Sequence, residues 1–169
     1  DAELAVIGIV PVTIDSTNLK DKEYYINTDV TYAYNTETGK ATGTYGTATA
    51  KAIADTLYTA QDETDGLGTE GEVKARGLKY YKKENINAQA AGNLAPTDWM
   101  VVRAAEGGTA VPSSITTKRA AVRTKANAMC VQIDGVSDVD ALATLYEYTN
   151  TGTEENPVLT RPLGELPTV

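Results

Sequence analysis

Ile115, Val122, Ala126, Met129 and Ile133 recur at intervals of seven, four, three and four residues. That spacing constrains the chain more than any other feature in it. Apolar positions repeating every 3.6 residues share one face of an α-helix, and that face must be buried against something. The stretch predicts a helix of about five turns, roughly 30 Å long, capped by Ser113 or Ser114 and ended by Gly135. Lys118, Arg119, Arg123 and Lys125 read as lying mostly off the stripe. Ser137-x-x-Asp140 predicts the cap of a further helix carrying Val139, Leu142, Leu145 and Tyr146, with a helical hairpin about Gly135 as the simplest packing. Upstream, Thr97 after Pro96 predicts the N-cap of a shorter helix closed by Gly107-Gly108, with Trp99, Val102 and Ala105 inward and Trp99 as a core anchor between helices.

The first part of the chain, residues 1–49, reads as β. Tyr24 to Asn35 alternates with period two, the pattern of a half-buried strand. Asn35-Thr36-Glu37-Thr38-Gly39 has turn chemistry, with Gly39 free to take positive φ, and Lys40 to Thr47 returns as a second strand. Gly43 and Gly46 weaken that strand and are expected to mark a bulge. Leu4 to Ile14 predicts an additional strand, read as that rather than as a signal peptide because it lacks a basic flank. The chain opens on Asp1 rather than Met, so residues upstream are an expectation. A lone hairpin is marginal in water, so this sheet has to pack on something.

Residues 50–150 read as a helical segment. Ala48 to Ala60 predicts a helix with Ile53 and Leu57 on one face, followed by a polar loop from Gln61 to Gly68. Thr69-x-x-Glu72 matches a capping box and opens a basic helix, which Gly77 weakens by about 1 kcal/mol relative to Ala. From Thr149 the pattern stops. Pro157, Pro162 and Pro167, five residues apart, forbid a regular helix and leave residues 151–169 as an extended arm, either free or packed on a neighbouring subunit. The expected class is therefore α+β: an N-terminal antiparallel β-sheet or hairpin, a helical C-terminal half and an extended Pro-containing arm.

Composition excludes more than it identifies. The chain has 169 residues, 15 basic and 23 acidic side chains and a net charge of −8. That balance argues against nucleic acid as a partner, since phosphate binding needs basic stripes. No apolar run approaches the ~20 residues of a membrane span. His is absent, which removes Ser-His triads, imidazole acid–base chemistry and most catalytic zinc sites. Cys130 is alone, so no internal disulfide forms, and on a helical stripe it reads as a small hydrophobe. Asp62, Glu63, Asp65 and Glu70 offer oxygen ligands but lack the alternate-position spacing of a calcium loop, so a solvated acidic loop is the favoured reading. The run from Lys74 to Lys83 is read as a complement to the chain's own carboxylates before a phosphate site. The strand tyrosines read as packing before sugar-stacking platforms. No cofactor, metal or catalytic residue is implied, and the chain is expected not to be an enzyme.

One set of residues goes further. Ala95-Pro96-Thr97-Asp98-Trp99, then Arg103 and Glu106, then Val111-Pro112-Ser113-Ser114-Ile115, then Arg119-Ala120-Ala121-Val122-Arg123 resembles a module of tailed-bacteriophage proteins. In those tail-fibre, fibre-assembly and related virion components a "DW" helix leads to a "YRxxxR" helix, often with a β-rich segment upstream. The variants most similar are those of phages of marine bacteria and cyanobacteria. The likeness covers about 55 residues well and the 95 before them loosely. Lys118 stands where the family shows a Tyr, which removes an aromatic contact. The resemblance implies a structural virion protein, assembled in the host cytoplasm, whose partners are copies of itself and other virion proteins, with a host surface receptor as a further candidate. It brings no catalytic residues. A tail-fibre assembly chaperone and a pilus-like filament subunit with a donor strand at Leu4 to Val12 are the alternatives. The candidate docking residues are Leu4, Val6 and Ile9 on the first strand, Trp99, Arg119 and Arg123 on the helices, and Val158, Leu159, Leu163 and Leu166 on the arm.

Overall fold

The computed structural model describes residues 7–169. The chain is α+β, with strands first and a helical C-terminal half, and it falls into two compact units, Asp1–Lys51 and Ala52–Val169.

The first unit is a small sheet. Strands β1 (Val12–Asp15), β3 (Val30–Asn35) and β4 (Lys40–Tyr45) lie in the order β1-β4-β3. β3 and β4 form the expected hairpin, in register from Val30 opposite Tyr45 to Asn35 opposite Lys40. Its turn is built as the residues suggest. The Asn35 carboxamide oxygen accepts from the amides of Glu37 and Thr38 at 2.8 and 3.0 Å, and Gly39 takes φ +64°. Three expectations fail here. The sheet is mixed, because β1 pairs with β4 in parallel. The strand from Tyr24 is broken: β2 (Tyr25–Ile26) pairs separately with β5 (Thr49–Ala50). Asn27 stands at the break, where its side chain accepts from the Lys20 amide at 2.9 Å and donates to the Lys20 carbonyl at 2.8 Å, the local bonding by which Asn competes with a ladder. Gly43 marks no bulge. It sits in regular register opposite Tyr32 and Ile14, and a Cβ there would lie 2.7–2.9 Å from Ile14, Val30 and Tyr32. It is a gap that lets neighbouring side chains lean together. Leu4 and Val6 lie outside the described residues. Ile9 is described, exposed and in no strand.

The helix expected over 48–60 is replaced by β5 at the end of the first unit and, in the second, by β6 (Thr56–Leu57), which pairs with β7 (Val73–Ala75). Between β6 and β7 runs the short helix α1 (Ala60–Thr64). Its start is set by a capping box that the sequence reading passed over: Thr59 caps the Asp62 amide while the Asp62 carboxylate accepts from the Thr59 amide. Thr69 and Glu72 open no helix. The basic helix, α2 (Leu78–Leu94), starts later, with Gly77 at the N-cap. A 3-10 turn (Ala95–Thr97) leads into α3 (Asp98–Ala105). α3 stops at Gly107, with φ +85°. Then come α4 (Ser113–Gly135) and α5 (Val139–Tyr146). Thr97, Ser113 and Ser114 do not cap by side chain, and Asp138 rather than Ser137 caps α5 through the Ala141 amide at 2.8 Å.

α2 and α4 run antiparallel, with Lys79 and Lys83 at Asp134 and Leu94 at Arg119. The predicted stripe supplies the core: Val122, Ala126, Met129 and Ile133 are buried, opposed by Ile86 and Ala90 of α2 and joined by Val139 and Leu142 of α5. Full burial of side chains this size contributes about 1.5–3 kcal/mol each. The last residues complete this core. β8 (Thr149–Asn150) and β9 (Leu159–Thr160) form a hairpin. Leu163 is fully buried; its amide donates to the Leu145 carbonyl at 3.1 Å and its carbonyl accepts from Lys125 at 2.9 Å. Asn93 donates to the Pro167 carbonyl at 3.2 Å. The prolines do exclude helix, but the segment is seated on its own unit. The expected docking residue Leu163 is core, because an apolar side chain has a groove to fill within the same chain.

Candidate functional site

Thr97, Asp98 and Arg119 meet at the start of α3. The Arg119 guanidinium donates to the Leu94 carbonyl at 2.8 Å, to Thr97 Oγ1 at 2.6 Å and to Asp98 Oδ1 at 2.7 Å. Arg119 is buried. It is four residues after Ile115 and three before Val122, so it lies on the apolar stripe and not off it. Its fork ties the last carbonyl of α2, the 3-10 turn and the first residue of α3 to α4. Planar guanidinium geometry suits such a multi-point clamp.

The clamp sets which way α3 faces. Asp98 points at Arg119, and residues of a helix are spaced 3.6 per turn, so the next side chain turns away. Trp99 is accordingly 55% exposed and is not the core anchor expected. No residue of α3 is buried. Val101 and Val102 are also exposed, and the Arg103 guanidinium lies 4.9 Å from the Trp99 ring centroid, a cation–π arrangement that steadies the indole in water. Between α3 and α4 runs a depression lined by Val101, Val111, Thr116, Arg119 and Arg123. Arg123 is exposed and makes no hydrogen bond or ion pair with any described residue. This depression and the exposed Trp99 and Val102 of α3 are the candidate site: Arg119 and Arg123 line the depression, Trp99 does not, and Arg119 supports the helix that carries Trp99 and Val102.

The arm residues are elsewhere. Val158 and Leu159 are exposed beside the hairpin turn, and Leu166 is half-buried. A separate apolar surface lies in the first unit, where Val12, Ile14, Tyr32 and Tyr34 share one exposed face of the sheet.

The polar clusters are internally matched. The Asp62 carboxylate takes Lys74 at 2.6 Å and the Thr59 amide at 2.9 Å; these bonds hold its pKa down at about 2. Arg76 pairs with Asp55 at 2.6 Å and Lys83 with Asp134 at 2.7 Å. The basic run therefore serves the chain's own carboxylates. Cys130 is half-buried beside Asn87, and burial pushes its thiol pKa up, away from the reactive thiolate. Among the described residues no three His, Cys, Asp or Glu side chains converge as metal ligands would, and no helix is long and apolar enough to cross a membrane.

Sequence reasoning missed the exposure of Val102 and the acidic tip of the β8–β9 hairpin. No local signal marks the first, because the contact that orients α3, Asp98 with Arg119, is a tertiary one. No protein-family model, no curated protein and no solved structure matches the chain.

Proposed function

We propose that the chain is a non-enzymatic structural component of a tailed-bacteriophage virion, a tail, fibre, neck or capsid-associated subunit that docks to copies of itself and to other virion proteins. The observation that carries this reading is the exposed Trp99 and Val102 face on a helix held rigid by Arg119. Aromatic and aliphatic side chains presented on a preorganised element are what a protein interface uses, since little entropy is lost on docking. Thr97, Asp98 and Arg119, which carry the phage resemblance, are the residues that build the support.

A second reading, a tail-fibre assembly chaperone, draws on a different observation: residues 161–169 run over their own unit and Leu163 fills its core, which favours a self-contained soluble chain over one knitted by arm exchange. A pilus-like subunit draws least support, because the described residues 7–11 of its donor segment Leu4 to Val12 lie in no strand.

Light scattering after size exclusion separates the readings. A structural subunit forms a concentration-dependent assembly that W99S/V102S dissolves without unfolding the chain. A monomer or dimer at every concentration, unchanged by that substitution, shifts the reading to the chaperone.

A further inference from the structure

The three-stranded sheet of the first unit has two edges, and they differ. A strand edge presents a row of unpaired N–H and C=O groups, and proteins blunt such edges with short strands, prolines or charges. β1 is blunted in this way: it is four residues long, follows Pro11 and ends on Asp15. β3 is not. It runs for six residues, Val30-Thr31-Tyr32-Ala33-Tyr34-Asn35, without a charge or a proline. Among the described residues its ladder bonds go to β4 alone, so its outer edge is open. Thr31 to Asn35 are all exposed. Their side chains lean away from that edge. The Tyr32 ring reaches inward over Gly43, where a Cβ would come within 2.9 Å of it, and the Thr31 hydroxyl donates to the Thr44 carbonyl of β4 at 3.4 Å.

The occupant of such an edge is an extended strand, and the charges that bracket β3 select a second β3. Residues directly opposite in an antiparallel pair share a face, so a two-fold pairing of the strand with itself must centre on a residue. Tyr32 and Ala33 are the two centres that keep the most of β3 in the ladder. Centring on Ala33 brings Asp29 of each copy to Glu37 of the other, so that like charges oppose each other at both ends. Centring on Tyr32 sets Asp29 against Asn35, Thr31 against Ala33 and Val30 against Tyr34, and no charge meets a like charge. The Val30–Tyr34 pair, made twice, is of the aromatic and β-branched kind that stabilises sheets. The first unit also gains by the addition, since among its described apolar side chains only Tyr24 and Ala41 are buried.

We propose that two copies pair β3 against β3, antiparallel about a two-fold axis at Tyr32, into one six-stranded sheet. The proposal rests on the reading of the chain as a self-docking subunit and adds a contact separate from α3. The contact is isologous, so it closes at the dimer. Its affinity comes from main-chain hydrogen bonds, as in other strand additions. One strand edge buries less than the roughly 1,200 Å² of a standard interface, so the dimer is weak. The contact is neutral, and salt screens the repulsion between two chains of net charge −8.

The test uses the full chain carrying W99S/V102S, which keeps the exposed face of α3 out of the measurement. Sedimentation over a range of concentrations should show a monomer–dimer equilibrium that does not weaken as salt rises. Tyr32 is 66% exposed, so Tyr32→Lys and Tyr32→Glu should leave the circular dichroism unchanged. Each variant alone should dimerise at least about tenfold more weakly, because like charges then face each other across the axis. Mixed in equal amounts, the two should regain the dimer. A dimer that both variants keep, or that mixing folded variants does not restore, overturns the pairing. If the W99S/V102S chain is monomeric while the unaltered chain assembles, the pairing is overturned and the self-docking reading stands. An unaltered chain that is monomeric at every concentration overturns both.

Discussion

At Arg119 the guanidinium donates to two neutral oxygens and one carboxylate from a site only 9% exposed. Asp98, by contrast, is largely open to water, so the pair cannot be counted as a buried ion pair, and the clamp holds through its hydrogen bonds. Arg119→Ala should destabilise the second unit by about 2–3 kcal/mol, because the Leu94 carbonyl and the Thr97 hydroxyl lose a charged donor. Asp98→Ala should cost under about 1 kcal/mol, as an exposed partner does. Urea unfolding of both variants checks the ordering; equal losses would mean that the ion pair carries the clamp. Gly77 makes a second case. Taken as a helix-interior residue, Gly77 would gain about 1 kcal/mol on replacement by Ala, but it stands at the N-cap of α2, where Gly is preferred to Ala. A Cβ at Gly77 would also lie 2.3 Å from the Ala54 carbonyl carbon and oxygen, and backbone cannot swing aside as a side chain can. Gly77→Ala should therefore destabilise by about 1–3 kcal/mol, and a gain in urea midpoint would refute the close-approach account. Both positions show where single-residue reading stops. An Arg on an apolar stripe scores as polar, and a Gly reads as flexible, until the neighbour that each one meets is known.

Elements were legible where periodicity decides them. The stripe from Val122 to Ile133 became the buried face of α4, and the β3–β4 turn followed from Asn35 and Gly39. They were illegible where two local signals compete. Thr59 with Asp62 and Thr69 with Glu72 have the same capping spacing, but only the former forms a capping box, and its Asp62 carries an ion pair from Lys74 as well. That cap has a pH signature. Hydrogen bonds from Lys74 and Thr59 lower the Asp62 pKa from an ordinary 3.8 to about 2 in the folded chain. The carboxylate therefore contributes stability that is fully present above the ordinary value and is lost as pH falls through the folded one. Carbonyl-detected NMR should show Asp62 titrating near 2 while α1 loosens over the same interval; a midpoint near 3.8 would mean that the capping box is not held in solution. The C-terminal segment is the other element whose role only packing reveals. Its prolines told of extended backbone, but nothing local to it told that Leu163 would be fully buried beside α5. Leu163→Ala should cost about 2–5 kcal/mol, measured by thermal melting. A loss below about 0.5 kcal/mol would mean that the segment leaves its groove in solution and would reopen subunit exchange.

Over the whole chain, burial is uneven. Among the described residues, the first unit buries only Tyr24 and Ala41 of its apolar side chains, while the second buries Ile86, Val122, Met129, Ile133, Leu142 and Leu163 almost completely. A three-stranded sheet with that little core sits near the limit of independent stability. The second unit has an interior of the kind that opens only with global unfolding. Native-state hydrogen exchange on the full chain should therefore find two levels of protection. The amides of β3 and β4 should exchange through a low-energy opening, and those in the middle of α2 and α4 only near the global limit. The aromatic face formed by Val12, Ile14, Tyr32 and Tyr34 gives the comparison a second use, because covering it with another chain would remove apolar surface from water and raise sheet protection. If sheet amides gain protection as protein concentration rises while those around Trp99 do not, the first unit is the docking element. Uniform protection across both units at low concentration would show that the sheet draws its stability from more than its own sparse core.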